Sequence, residues 1–235
     1  MKLYLYEFVG TFGFVFLGWG TVVFAAPFVG YLGISVAFGL AYAALCFAFS
    51  GGHFNPAATI AAALSGRFRA KRKYGTLLKT LVFILIQIAG AYAAAVSVYY
   101  IYSGKMGFVP QGLPGVNIVE RYTLSAAFYL ETLLNILFLC VFLGTYDNAK
   151  TQSLACGLLI TAAFLLSYPV TRGAMNPART TATSLLGGEE AIAQLPLFWE
   201  AALTAAVITG LFYNQAIRRK ITSAFAHKEK GTENN

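Results

Sequence analysis

Charge is what this sequence has least of. Only 11% of its 235 residues are charged, nine of them acidic, whereas 58% are hydrophobic. A soluble domain carries about twice that share of charge, so this composition excludes one. Metal chemistry lacks its ligands: there are two histidines and three cysteines, with no metal-ligand spacing among them. Cys46, Cys140 and Cys156 are odd in number and fall inside apolar runs, which reads as buried thiols rather than a disulfide framework. Strand-like alternation is missing too, and no stretch is left over for a soluble domain.

What is present is a series of long apolar runs. Run length and flanking charge predict full spans at about 3–26, 31–50, 76–102, 123–146, 151–170 and 195–217. Two shorter apolar stretches, 55–65 and 176–186, rise about 16 Å as helices, half the roughly 30 Å of a bilayer core. The first run follows Lys2 and ends in "FAAP", as a cleaved signal does, but it is too long and contains Glu7. It is expected to stay as a span. The expected organisation is one integral membrane domain over 1–217, with a polar cytoplasmic tail over 218–235.

The net charge of +8 resolves once the charges are placed. On a six-span layout, 13 of the 17 basic residues fall on one side, with Lys105, Arg121, Arg172 and Arg179 the remainder. The positive-inside rule then puts both termini in the cytoplasm. The run "RFRAKRK" (67–73) becomes a loop held at the inner leaflet by anionic lipid. It is not read as a nucleic-acid surface, because no folded basic domain surrounds it.

The chain also repeats itself. Glu7 in "YEFVGTF" corresponds to Glu131 in "YLETLLN", 124 residues later, and Asn55 to Asn176, 121 residues later. Repeat one covers about 1–102 and repeat two about 123–217. Each runs span with intramembrane Glu, span, Asn-Pro half-span, span. Three spans per repeat is odd, so the second repeat inserts with inverted topology. Inverted repeats with broken helices at their interface point to a transport site near the midplane.

The Asn-Pro pairs stand in "SGGHFNPAAT" and "TRGAMNPART". Proline in the first helical turn loses nothing, and Asn ahead of it is a good N-cap. Asn55–Pro56–Ala57 and Asn176–Pro177–Ala178 therefore start two short helices whose N-termini meet in mid-membrane. Backbone left unpaired at that depth must be buried or line water. Gly51, Gly52, His53 and Phe54 in one repeat, and Gly173, Ala174 and Met175 in the other, suit extended chain with exposed carbonyls. His53 is read as a brace for its loop. Glu7 and Glu131 are read as hydrogen-bond partners for the loop backbones rather than as proton relays.

Paired Asn-Pro-Ala motifs in an inverted duplication, with Arg179 three residues after the second Asn, resemble the aquaporin (major intrinsic protein) family. The resemblance covers about 3–217. It implies an all-α membrane fold of six transmembrane helices plus two re-entrant half-helices, usually a homotetramer with one pore per subunit. It needs no cofactor. The implied activity is a passive channel for water, possibly with small neutral solutes such as glycerol, that excludes protons and ions.

The resemblance also implies an outer filter of four residues: Arg179, Gly173, Phe164 and a position on the second helix. Matching "GISVAFGL" to the family gives Phe38; an uninterrupted register would give Ser35. Water-selective members carry His where this chain has Phe164, and mercury-blocked ones carry Cys where it has Gly173. Short loops, "FW" (198–199) and Thr180 after the arginine fit the water branch. Two aromatics with one Gly and one Arg resemble glycerol facilitators, with Gly and an aromatic exchanged. Glu200 stands open between snorkelling and a subunit contact.

Other function classes fit less well. A glycerol-type facilitator is the alternative. A secondary active transporter would use Glu7 or Glu131, which the loop backbones already claim. An enzyme would need a Ser–His pair, an acid pair or a metal cluster near an Asn-Pro motif, and none is there.

Overall fold

The computed structural model describes residues 2–70, 74–108 and 113–214. Part of the basic loop (Lys71, Arg72, Lys73), the end of the last expected span and the 218–235 tail lie outside the described residues. Within them the chain is helical, with no strand: α1 Lys2–Ala48, α2 Pro56–Leu64, α3 Gly75–Ser103, α4 Leu124–Gly144, α5 Ala149–Thr171, α6 Pro177–Ser184 and α7 Glu189–Phe212. Five of these are long and apolar enough to cross a membrane: α1, α3, α4, α5 and α7.

α1 merges the first two expected spans. Its 47 residues would rise about 70 Å if straight, more than twice a bilayer core. The break falls at Gly30, whose φ of 60° and ψ of −169° leave the helical region. That backbone is open to glycine and strained for other residues, so one residue turns the chain where a loop was expected.

α7 begins at Glu189, ahead of the expected 195. The expected start rested on apolar run length, which the charged Glu189 and Glu190 do not extend. They occupy the first turn, where carboxylates complement the helix dipole.

The helices leave large apolar side chains outside. Leu3, Leu40, Leu77, Leu85 and Leu158 are each more than half exposed. In water such a belt would drive association; in lipid it is the proper exterior. Inside, the close approaches rely on small residues. A Cβ on Gly157 would come within 2.7 Å of the Gly39 carbonyl oxygen, so α5 meets the second part of α1 almost backbone to backbone.

The repeats interlock. α1 packs chiefly on α5 and α3, and α4 on α7. Half-helix α2 of the first repeat lies against α7 of the second, while α6 of the second lies against α3 of the first. α2 and α6 touch each other as well, at their starts. This exchange brings the two Asn-Pro motifs together.

Candidate pore and its constrictions

Each half-helix opens as the sequence predicts. Asn55 has extended dihedrals (φ −154°, ψ 123°) and accepts from the Ala57 N–H at 2.9 Å. Asn176 (φ −142°, ψ 105°) accepts from the Ala178 N–H at 3.1 Å and the Arg179 N–H at 3.3 Å. Pro56 and Pro177 fill the first helical position.

The amides then cross between repeats. Asn55 Nδ2 donates to the Met175 carbonyl at 2.9 Å, and Asn176 Nδ2 donates to the Phe54 carbonyl at 2.8 Å. The accepting residues are equivalent in the duplication, and both take left-handed backbone, φ 51° at Phe54 and 48° at Met175. For non-glycine residues this costs of order 1–3 kcal/mol each. It is held because each carbonyl is claimed by the opposite asparagine. Each amide has two N–H bonds, and the crossing bond uses one; the other is free for a molecule beside it.

The loops are braced from behind by the two intramembrane glutamates. Glu7 accepts from the N–H of His53 (2.7 Å) and of Phe54 (2.9 Å), and from Gln87 Nε2 (2.6 Å). Glu131 accepts from the N–H of Ala174 (3.2 Å) and of Met175 (2.9 Å), and from Thr171 Oγ1 (2.5 Å). Each carboxylate satisfies two backbone donors that otherwise lack a partner in the extended loop. His53 joins the first brace, with Nδ1 3.0 Å from Thr59 Oγ1 and Nε2 3.2 Å from the Tyr146 hydroxyl. Gly51 and Gly52 precede it, and Gly51 donates its N–H to the Cys46 carbonyl at 2.8 Å.

Between the helix starts lies a cavity of ≈ 10 Å³, about what one water needs. Its lining includes Asn55, Asn176, Tyr42, Phe138 and Phe164. A wider recess of ≈ 270 Å³ reaches His53, Glu7, Arg67, Lys79 and Tyr146, and another of ≈ 210 Å³ reaches Arg172, Tyr168, Arg121 and Glu120.

The four expected filter residues do come together. Phe164 packs on Gly173, where an added Cβ would lie 2.8 Å from the ring. The Phe38 and Phe164 rings meet at a tilt of 40°, and Arg179 lies over both. Ser35 is one turn away and donates back to the Tyr31 carbonyl at 2.7 Å. Arg179 is fully buried, and Nη1 donates to Asn117 Oδ1 (2.8 Å) and to the Gly173 carbonyl (2.5 Å). Nη2 donates to the Arg172 carbonyl at 3.3 Å, while Nε has no partner among the described residues.

Sequence reasoning missed three of these groups. Asn117 holds the guanidinium from a loop between the repeats, and its own amide donates to the carbonyls of Thr171 (2.8 Å) and Arg172 (3.2 Å). Nothing in "PGVNIV" marks it. Gln87 was detectable as a lone amide in an apolar span. Tyr42 carried no signal beyond its spacing from Phe38.

The profile of the family described as "Major intrinsic protein" matches residues 1–213. A protein named Aquaporin Z from Rhodopseudomonas palustris is 39% identical over 225 residues, 89% of this chain and 91% of that one. Another named Aquaporin Z, from Brucella melitensis, is 36% identical over 227 residues, covering 91% and 96%. Among solved structures, the X-ray structure of the aquaglyceroporin from Plasmodium falciparum superposes with a TM-score of 0.78 at 23% identity, over 92% of this chain and 96% of that chain. At that identity the likeness speaks for the fold.

Proposed function

This chain belongs to the major intrinsic protein family, and we propose that its water path runs between the two half-helices, past Asn55 and Asn176, from one recess to the other. The protein is a passive, membrane-embedded water channel. One observation carries the path: a water-sized cavity bounded by both asparagines, each with an amide N–H left over after the crossing bond.

The chemistry follows from that arrangement. α2 and α6 point their N-terminal, positive dipole ends at the cavity, which raises the energy of a cation there. A water accepting from both asparagines cannot also accept along the file, so a proton wire is interrupted. Neutral water passes; hydronium meets a barrier.

Phe38, Phe164, Gly173 and Arg179 form the outer filter in this reading. Support comes from the tilted ring contact, the guanidinium over it and the free Nε–H, which a passing oxygen can accept from. The paired rings make this point narrow and mostly apolar, so glycerol must displace Phe164 to pass, and its flux is expected to be far below that of water. The break at Gly30 supports six spans plus two half-helices in one domain over 1–217. Both termini are cytoplasmic, the location is a plasma or bacterial inner membrane, and four subunits assemble with a pore in each.

Reconstitution into liposomes tests the reading. Stopped-flow shrinkage should be much faster than in empty liposomes under an osmotic gradient, with no increase in proton leak. Shrinkage no faster than the empty control overturns it.

A further inference from the structure

Phe38 is followed one helical turn later by Tyr42, about 6 Å further along α1 and on the same face. Where Phe38 meets the guanidinium of Arg179, Tyr42 lines the central cavity together with Asn55 and Asn176. Its ring is held edge-on by three others: Phe14 at 5.9 Å, Phe54 at 6.0 Å and Phe138 at 5.8 Å. The side chain is 1% exposed, and its hydroxyl has no hydrogen-bond partner among the described residues.

That is an unusual condition for a tyrosine. Buried hydroxyls nearly always find a partner, and one left alone is destabilising. Phenylalanine would fill the same three-ring cage without the orphan oxygen, so packing accounts for the ring and leaves the hydroxyl unexplained. Tyr42 lines a water-sized cavity, so the molecule in that cavity is the candidate partner for its unpaired hydroxyl. Asparagine amides offer donors only from their nitrogens, whereas a phenol both donates and accepts.

We propose that Tyr42 is a second selecting residue of the pore: its hydroxyl oxygen accepts a hydrogen bond from each water at the asparagine pair, and its ring bars wider solutes there. This rests on the water-channel reading above. The pore then sorts by width twice, at Phe38–Phe164 and again at Tyr42, and widening the outer filter alone does not admit a polyol. The hydroxyl lowers the barrier for water by returning one of the bonds that single file takes away.

The test uses liposomes of the full chain, with protein content and thermal unfolding measured for each variant. Wild type must first shrink faster than empty liposomes; if it does not, the channel reading fails before Tyr42 is in question. Tyr42→Phe keeps the ring and should lower water permeability per protein by about three- to tenfold, the worth of roughly one hydrogen bond, with unfolding temperature unchanged or raised. Phe164→Ala should raise glycerol permeability by less than about threefold, and Phe164→Ala with Tyr42→Val by more than tenfold. The proposal is overturned if Tyr42→Phe conducts water as wild type does. It is equally overturned if the double variant passes no more glycerol than Phe164→Ala.

Discussion

Phe38 and Phe164 lie ring to ring with centroids 4.3 Å apart, although 126 residues separate them in the chain. The Arg179 guanidinium carbon sits 4.8 Å from the first ring centre and 5.5 Å from the second. With water excluded, a cation over an aromatic face is stabilised by up to about 2 kcal/mol. The contact therefore fixes the arginine's orientation.

Phe164→His should shift the ratio of water to glycerol permeability toward water. An imidazole is smaller than phenyl and offers a nitrogen donor where the wall is now apolar. One added hydrogen bond is worth about 1 kcal/mol, so the shift should be several-fold. Matched water and glycerol shrinkage rates measure it. An unchanged ratio here, with a shift on substituting Ala163 or Leu165, would move the filter residue by one position.

Arg179→Val should keep water flow and raise proton or cation leak. Its cost in stability goes beyond the lost charge, because Asn117 Oδ1 and the Gly173 carbonyl each lose a charged donor. An expected loss of about 1–3 kcal/mol follows for groups left buried without partners. Asn117→Ala serves as the companion: it should destabilise the arginine's loop while leaving the positive potential in place. A pH-sensitive dye inside the liposomes separates the two. Equal proton tightness in Arg179→Val and wild type would assign the whole barrier to the half-helix ends.

Much of this was legible in advance, and the boundary has a physical origin. The half-helices were readable because an Asn-Pro start is local chemistry: a cap and a first-turn proline act within four residues. Glu7 and Glu131 were readable because a carboxylate inside an apolar run needs donors, and a glycine-rich loop has them. Gly30 was not, since one left-handed glycine within 47 helical residues looks like any of 23 glycines until its dihedrals are seen. Asn117 was not, because its role is set by a guanidinium 62 residues away.

Outer mercury block should be absent from wild type. Gly173 offers no thiol, and Cys46 and Cys156 are buried in the protein. Placing a cysteine at 173 is harder than sequence suggests. Gly173 has φ of 65°, and a Cβ there would press on Phe164 at 2.8 Å. Gly173→Cys alone should lose about 1–2 kcal/mol of stability from its left-handed backbone. Combined with Phe164→Ala it should fold better and give a channel that mercury blocks and thiol reducing agent restores. Rapid block of wild type that persists after Cys140→Ser would contradict this.

Glu131→Gln tests brace against relay. The carboxylate accepts from two backbone N–H groups and Thr171. An amide keeps one acceptor oxygen and turns an NH₂ toward a donor, so stability should fall by about 2–3 kcal/mol. Water flux in the surviving folded fraction should stay within about twofold of wild type, independent of any imposed pH gradient. A pH gradient that drives solute uphill in wild type and not in Glu131→Gln would make the glutamate a relay.

The crossed bonds from Asn55 to Met175 and from Asn176 to Phe54 have a mechanical consequence. Many inverted-repeat proteins work by rocking one repeat against the other, which exposes a site to each side in turn. Here the repeats are laced together at the point such a motion would pivot, and each lace holds a strained carbonyl in place. Rocking would break both at once and release two unpaired amides and two unpaired carbonyls into the middle of the membrane. The architecture is thus a fixed orifice with no stroke. Its flux should follow the osmotic gradient linearly in either direction, with the shallow temperature dependence of water moving through an opening rather than that of a protein changing shape.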